Sequence, residues 1–277
     1  MICPNCGNEI NNDTTICPFC NVHLKRASET TFKDLVVRDP LGYENVGLTY
    51  GYHALLGLGL FFGQSIITIL FQLIITSIIK GLGYKPFNAN ISMFSQILAT
   101  ILCIAIFVFV IRKDLKKILH EFKNGKTWGK AGMYFAFIYL AIIVYSFITV
   151  IFRIDQTSAN QDSIDQMTYF APLMSGIYVC LLAPLFEEIV FRFGIYRSLC
   201  KINEKMALLI VALIFACMHL LASISTGTLL QDLSSLPVYL IGGVSLTFAY
   251  YKEKNIAVPI AIHVIYNTFG FLMGLVA

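Results

Sequence analysis

The stretch "LLAPLFEEIVFRFGIYRSL", residues 181–199, sets two adjacent glutamates, Glu187 and Glu188, inside an apolar helical run, with Arg192 one turn on. An ionised side chain in such surroundings costs several kcal/mol unless it is paired or put to use. The run is not isolated. Of 277 residues, 57% are hydrophobic and only 13% charged, about half the charged share of an ordinary soluble domain. Long apolar segments without strand alternation read as membrane helices, because backbone in lipid must bond to itself.

Seven spans are expected: Tyr52–Ile79, Met93–Ile111, Ala131–Ile151, Phe170–Leu199, Met206–Ser223, Leu236–Tyr251 and Ile256–Val276, the sixth being short. The fold class is therefore an all-α polytopic membrane protein carrying a small N-terminal module. "RKDLKKILHEFKNGKTWGK", after the second span, holds seven Lys/Arg, whereas "IDQTSANQDSIDQMTY", after the third, holds none and three Asp. The positive-inside rule puts the first inside and the second outside. Lys25, Arg26, Lys33 and Arg38 keep the N-terminus cytoplasmic; Arg197, Lys201, Lys205 and "KEKN" at 252–255 mark further inner loops. These signs agree on a multi-pass protein of the cell membrane, N-in and C-out. The polar, Cys-rich start matches no cleavable signal sequence.

"CPNCGNEINNDTTICPFC" places Cys3, Cys6, Cys17 and Cys20 as two C-x2-C pairs, a spacing suited to tetrahedral zinc. A cytoplasmic location disfavours disulfides. The alternative is reduced cysteines in a disordered tail. Residues 1–24 are read as a zinc ribbon whose metal supplies the folding energy, and 25–50 as a linker with a short amphipathic helix near "FKDLVV". A closed four-thiolate site offers no catalysis. The ribbon is an interaction element, and the few basic residues near it argue against nucleic acid. The domain at 51–277 follows. Cys103, Cys180, Cys200 and Cys217 read as packing residues. Gly59 and Gly63 offer a small-residue face for close helix contact, and His53 an interfacial position.

Polar and ionisable groups gather in the last four spans: Glu187, Glu188 and Arg192 in the fourth, His219 ending "FACMH" in the fifth, His263 and Asn267 in "HVIYN" of the seventh. At 1.5 Å per residue, Glu188 lies roughly 20 Å from Lys201, His219 roughly 21 Å from Lys205, and His263 and Asn267 roughly 14 and 20 Å from Lys254. They converge on one layer of the bilayer. Glu188 and Arg192 share a face and can pair. Glu187 points about 100° away and is free to meet a cavity as a general base. One Glu, two His and one Asn can polarise a water and hold an oxyanion, with or without a metal. A polar network that only locks helices, or a proton relay in a transporter, uses the same residue types.

"EEIVFR", "FACMH" and "HVIYN" match E-E-x-x-x-R, F-x-x-x-H and H-x-x-x-N. In their order the chain resembles the CAAX prenyl endopeptidase and bacteriocin-processing (CPBP or Abi) family of intramembrane proteases over residues 170–275. The resemblance implies peptide-bond hydrolysis, with Glu187 activating water, His219 as its partner, His263 and Asn267 stabilising the oxyanion or binding a metal such as zinc, and Glu188 and Arg192 organising the site. It implies a membrane-embedded or lipidated protein or peptide as substrate, with peptide maturation or bacteriocin immunity as settings. The alternatives are a catalytically silent immunity or scaffold protein that binds a peptide, and a transporter.

Overall fold

The structure, a computed structural model, describes residues 8–9, 17–20, 49–200 and 203–276. Cys3 and Cys6 of the expected ribbon, the segment near "FKDLVV" and Lys201 lie outside the described residues. All seven expected crossings are present as helices. They are α1 (Thr49–Gly81), α2 (Asn88–Val110), an amphipathic α3 (Arg112–Phe122), α4 (Gly125–Phe152), α5 (Ala159–Phe170), α6 (Pro172–Leu199), α7 (Glu204–His219), the short α8 (Leu221–Thr226), α9 (Leu229–Glu253) and α10 (Ala257–Gly274). Spans five and six run longer than expected. The fifth continues past His219 into α8, and the sixth begins with a turn at Leu229 and a 3-10 turn at Leu233–Ser235.

Two helices outside the expected spans have local causes. Arg112–Phe122 exposes Arg112, Lys113, Lys116 and Lys117 and buries Asp114 and Ile118, four apart on one face. In α5, Ser158 caps the first turn by accepting from Gln161 N–H at 3.2 Å, and Ser-x-x-Gln is a capping-box pattern legible in the sequence.

α6 is the axis of the bundle. Its residues from Glu188 to Arg197 are all buried, and Phe186, Val190, Phe191, Phe193 and Tyr196 form much of the core. α1 and α4 are peripheral and turn Phe62, Ile66, Leu70, Phe137, Leu140 and Phe147 outward toward lipid. α6 is not a regular helix. Two π-helical stretches, Tyr178–Leu182 and Ile189–Tyr196, flank a single α segment, Ala183–Glu188. Pro184 gives a reason for the first. Ala183 N–H bonds Tyr178 O, five residues back, and Pro184 has no N–H to return to Val179 O.

Two sequence expectations are corrected. The space beside Gly59 and Gly63 is open, and the close approaches fall elsewhere: Gly57 meets Val190, and a Cβ at Gly194 would lie 3.1 Å from His53 O. The His53 side chain, expected to face the interface, turns into the protein instead. It is 2% exposed, between the rings of Phe107 and Phe193.

α7 and α9 touch most closely at Gly243, where an added Cβ would sit 2.9 Å from the Ala212 carbonyl oxygen. Neither backbone can yield alone. Gly243→Ala is therefore expected to separate the two helices and cost about 1–3 kcal/mol, read as earlier unfolding in detergent.

The two ends of the bundle are fixed by bonds between segments. At the basic end, Lys130 pairs with Glu253, Lys254 lies 3.6 Å from Glu204, and Asn255 donates to Glu121 at 3.0 Å. At the other end, Asp232 accepts from Thr157 Oγ1 at 2.7 Å and from Ala159 N–H at 3.0 Å, and Tyr145 donates to Ser234 O at 2.5 Å.

Candidate active site

Glu187 and Glu188 sit at the end of the single α segment between the two π stretches, so they diverge as neighbours on an α-helix do. Glu188 turns inward and is fully buried. Arg192 Nη1 donates to its Oε1 at 2.9 Å, and His263 Nδ1 contacts the same oxygen at 2.8 Å. Arg192 is also fully buried. Its Nη2 donates to Gly243 O at 3.3 Å, and its Cζ lies 4.4 Å from the centre of the Phe215 ring. The charge is thus spread over a carboxylate, a carbonyl and an aromatic face.

Glu187 faces a cavity of about 650 Å³ that His219, His263 and Asn267 also line. Its Oε2 lies 3.9 Å from His219 Nε2 and 3.8 Å from His263 Nε2, and has no hydrogen-bond partner among the described residues. The depth estimate is met: three helices bring these side chains to one point.

The rings are held from behind. His219 Nδ1 lies 2.8 Å from Phe215 O, which can only accept, so Nδ1 carries a hydrogen and Nε2 of the neutral ring presents a lone pair. His263 uses its own Nδ1 on Glu188. Phe215, the first residue of "FACMH", packs against Arg192, His219 and His263. Asn267 sits slightly apart from the trio. Its Nδ2 donates to Val179 O at 3.0 Å, the carbonyl that Pro184 cannot serve. Asn267 therefore locks α10 onto the irregular turn of α6, with one amide hydrogen to spare.

Tyr239 of α9 gave no sign in the sequence. Its ring stacks on His219 at 4.4 Å and 26° between planes, and its hydroxyl bonds Ser158 Oγ at 2.8 Å and Asn160 Nδ2 at 3.3 Å. His219 is thereby clamped between Tyr239 and Phe215. Tyr239→Leu is expected to release the ring, so that imidazole 15N shifts of His219 report mixed tautomers, while Tyr239→Phe keeps the single Nδ1–H form. Identical spectra for all three proteins would remove Tyr239 from the site.

Glu187, His219 and His263 carry the donor types of a zinc site, and the Nδ1 contacts of both rings are of the kind that orients metal-bound histidines. The edges of 3.8 and 3.9 Å are wider than the about 3.3–3.5 Å that bonds of 2.0–2.2 Å subtend in a tetrahedron. Among the described residues no group of three or more His, Cys, Asp or Glu is arranged to hold a metal ion. The residues as they stand do not fit that ion.

Fold and site together define a polytopic helical membrane protein with a carboxylate–histidine centre enclosed by its apolar helices. Residues 169–269 match the family model described as Rce1-like, type II CAAX prenyl endopeptidase. The chain is 30% identical over 189 residues to the "Putative membrane peptidase YdiL" of Bacillus subtilis, covering 65% of this chain and 71% of that one. It is 30% identical over 174 residues to the membrane-embedded CAAX protease MroQ of Staphylococcus aureus, covering 59% and 65%. It is also 30% identical over 142 residues to the UPF0177 protein YvdC of Lactococcus lactis, where it spans about half of that relative (51% of each chain). No solved structure matches. The chain belongs to the Rce1-like CAAX endopeptidase family.

Proposed function

We propose that the protein is an endopeptidase that hydrolyses a peptide bond of a membrane-associated protein or peptide, using a water activated by Glu187. One observation carries the reading. A carboxylate oxygen without a partner faces two imidazole Nε2 atoms at 3.8–3.9 Å, and the neutral rings offer these three atoms only as acceptors. Such a trio calls for a proton donor in its midst, and water is the simplest one.

The steps follow from those atoms. Glu187 takes a proton from the water as its oxygen bonds to the scissile carbonyl carbon. The carbonyl π electrons move onto oxygen, giving a tetrahedral oxyanion. The lone pair of His263 Nε2 accepts the water's other hydrogen, and the spare Asn267 amide hydrogen is placed to bond the oxyanion. Collapse breaks the C–N bond, and the proton held by Glu187 passes to the leaving nitrogen, directly or through His219 Nε2. The products are a carboxylic acid and an amine.

The test compares membrane and released peptides by mass spectrometry in cells with the wild-type chain and with Glu187→Gln. A cut site present only with wild type is expected; identical peptide sets would leave a peptide-binding scaffold in its place.

The N-terminal pairs Cys3/Cys6 and Cys17/Cys20 are proposed to hold zinc as a closed module. A strong chelator is then expected to release zinc from the full chain, followed with a colorimetric zinc indicator, while cleavage of the identified peptide stays within about twofold. Loss of cleavage in step with zinc release would move the metal into the reaction.

A further inference from the structure

The cavity over Glu187 leads away from the basic end of the bundle. From the Glu187–histidine trio it reaches Gln156 and Thr157, in the segment that joins α4 to α5, and Asn160 in the first turn of α5. Gln156 and Thr157 are exposed. An adjoining cavity of about 800 Å³ shares Val179, Tyr266 and Asn267 with the first, and runs along α10 to Phe271 and Leu275 at its far end.

Distance shows the same asymmetry. One aromatic ring, Tyr239, spans the gap between His219 and Ser158 of the far segment. Toward the basic end, His219 lies fifteen residues from Glu204, the partner of Lys254. That is about 22 Å of helix.

Charge says which end is which. The segment 112–130 carries seven Lys/Arg at one end, joined there by Lys205, Lys252 and Lys254, whereas 153–171 at the other carries Arg153 and three Asp. The bonds among Lys130, Glu253, Lys254, Glu204, Asn255 and Glu121 put the basic segments side by side, and loops so enriched stay cytoplasmic.

We propose that the site is filled from the outer face. Resting on the protease reading, its substrate class is then a membrane-bound peptide whose cleavage point emerges at the outer surface, as opposed to a tail that stays on the cytoplasmic side. Among the described residues lining both cavities there is no Lys or Arg, whereas Asp162 and Asp165 sit at the rim. The stretch cleaved is accordingly neutral or cationic beside the scissile bond.

The test is labelling of full-length protein in intact bacterial cells with a membrane-impermeant sulfonated maleimide, read as added mass relative to wild type. Gln156→Cys, at the mouth, is expected to take the label from outside. Lys126→Cys, at the basic end, is expected to take it only after permeabilisation. Gln156→Cys that labels only after permeabilisation, or in neither state, overturns the outer-face assignment. The peptide comparison with Glu187→Gln is independent. Cleavage products together with a cytoplasmic mouth sink the substrate class alone. An outward mouth with no cleavage product sinks the protease reading, and with it any substrate.

Discussion

Glu187→Gln is expected to lower the rate of peptide-bond cleavage by about 10²–10⁴-fold, the usual contribution of a positioned general base, with the fold intact. The amide keeps the shape of the carboxylate and cannot take a proton from water. Little stability is at stake, because Glu187 Oε2 makes no hydrogen bond and its nearest ring nitrogens stand 3.8 and 3.9 Å away. The loss is expected in kcat and kcat/KM together, since the proton moves only on the way to the transition state. The variant should unfold in detergent where wild type does. A Glu187→Gln protein that cleaves at the wild-type rate would end the proposed role of this residue.

Much of this site was legible because charges in lipid are costly and therefore few. Glu187, Glu188, Arg192, His219 and His263 stood out against apolar helices, and counting rises from the basic loops put them in one layer. The i, i+4 spacing of Glu188 and Arg192 became a 2.9 Å pair even though residues 189–192 lie in the second π stretch. What was not legible depends on contacts between helices. Nothing in "PVYLIGG" marks Tyr239, because an aromatic residue on a membrane helix reads as packing until its neighbours are known. Pro184 was visible, but not that the carbonyl it orphans is served by Asn267 from another helix. The pair Gly59 and Gly63 misled, because spacing alone does not say which face of α1 meets a partner. Helix α5 was missed although its Ser158–Gln161 cap is written in the sequence; its low hydrophobicity hid it among loop residues.

Arg192→Leu is expected to cost about 3–5 kcal/mol of stability, the penalty for stripping the partner from a buried charge. Glu188 would keep only His263 beside it, at a position with no exposure. Gly243 O and the face of Phe215 lose their cation as well. The double variant Glu188→Gln/Arg192→Leu removes both charges and leaves an amide oxygen that can still accept from His263 Nδ1. Replacing a buried pair by neutral groups is close to neutral or even favourable, so the double variant is expected to regain a large part of what the single one loses, in thermal unfolding in detergent. Activity should not follow stability. A neutral amide oxygen holds His263 Nδ1–H less firmly than the carboxylate that accepts it at 2.8 Å, so the well-folded double variant is expected to remain impaired in kcat. A single variant as stable as wild type, or a double variant no more stable than the single, would show that the pair does not carry the energetic weight its burial implies. A double variant with full activity would limit Glu188 and Arg192 to holding the helices, and leave Glu187 and the histidines to work unaided.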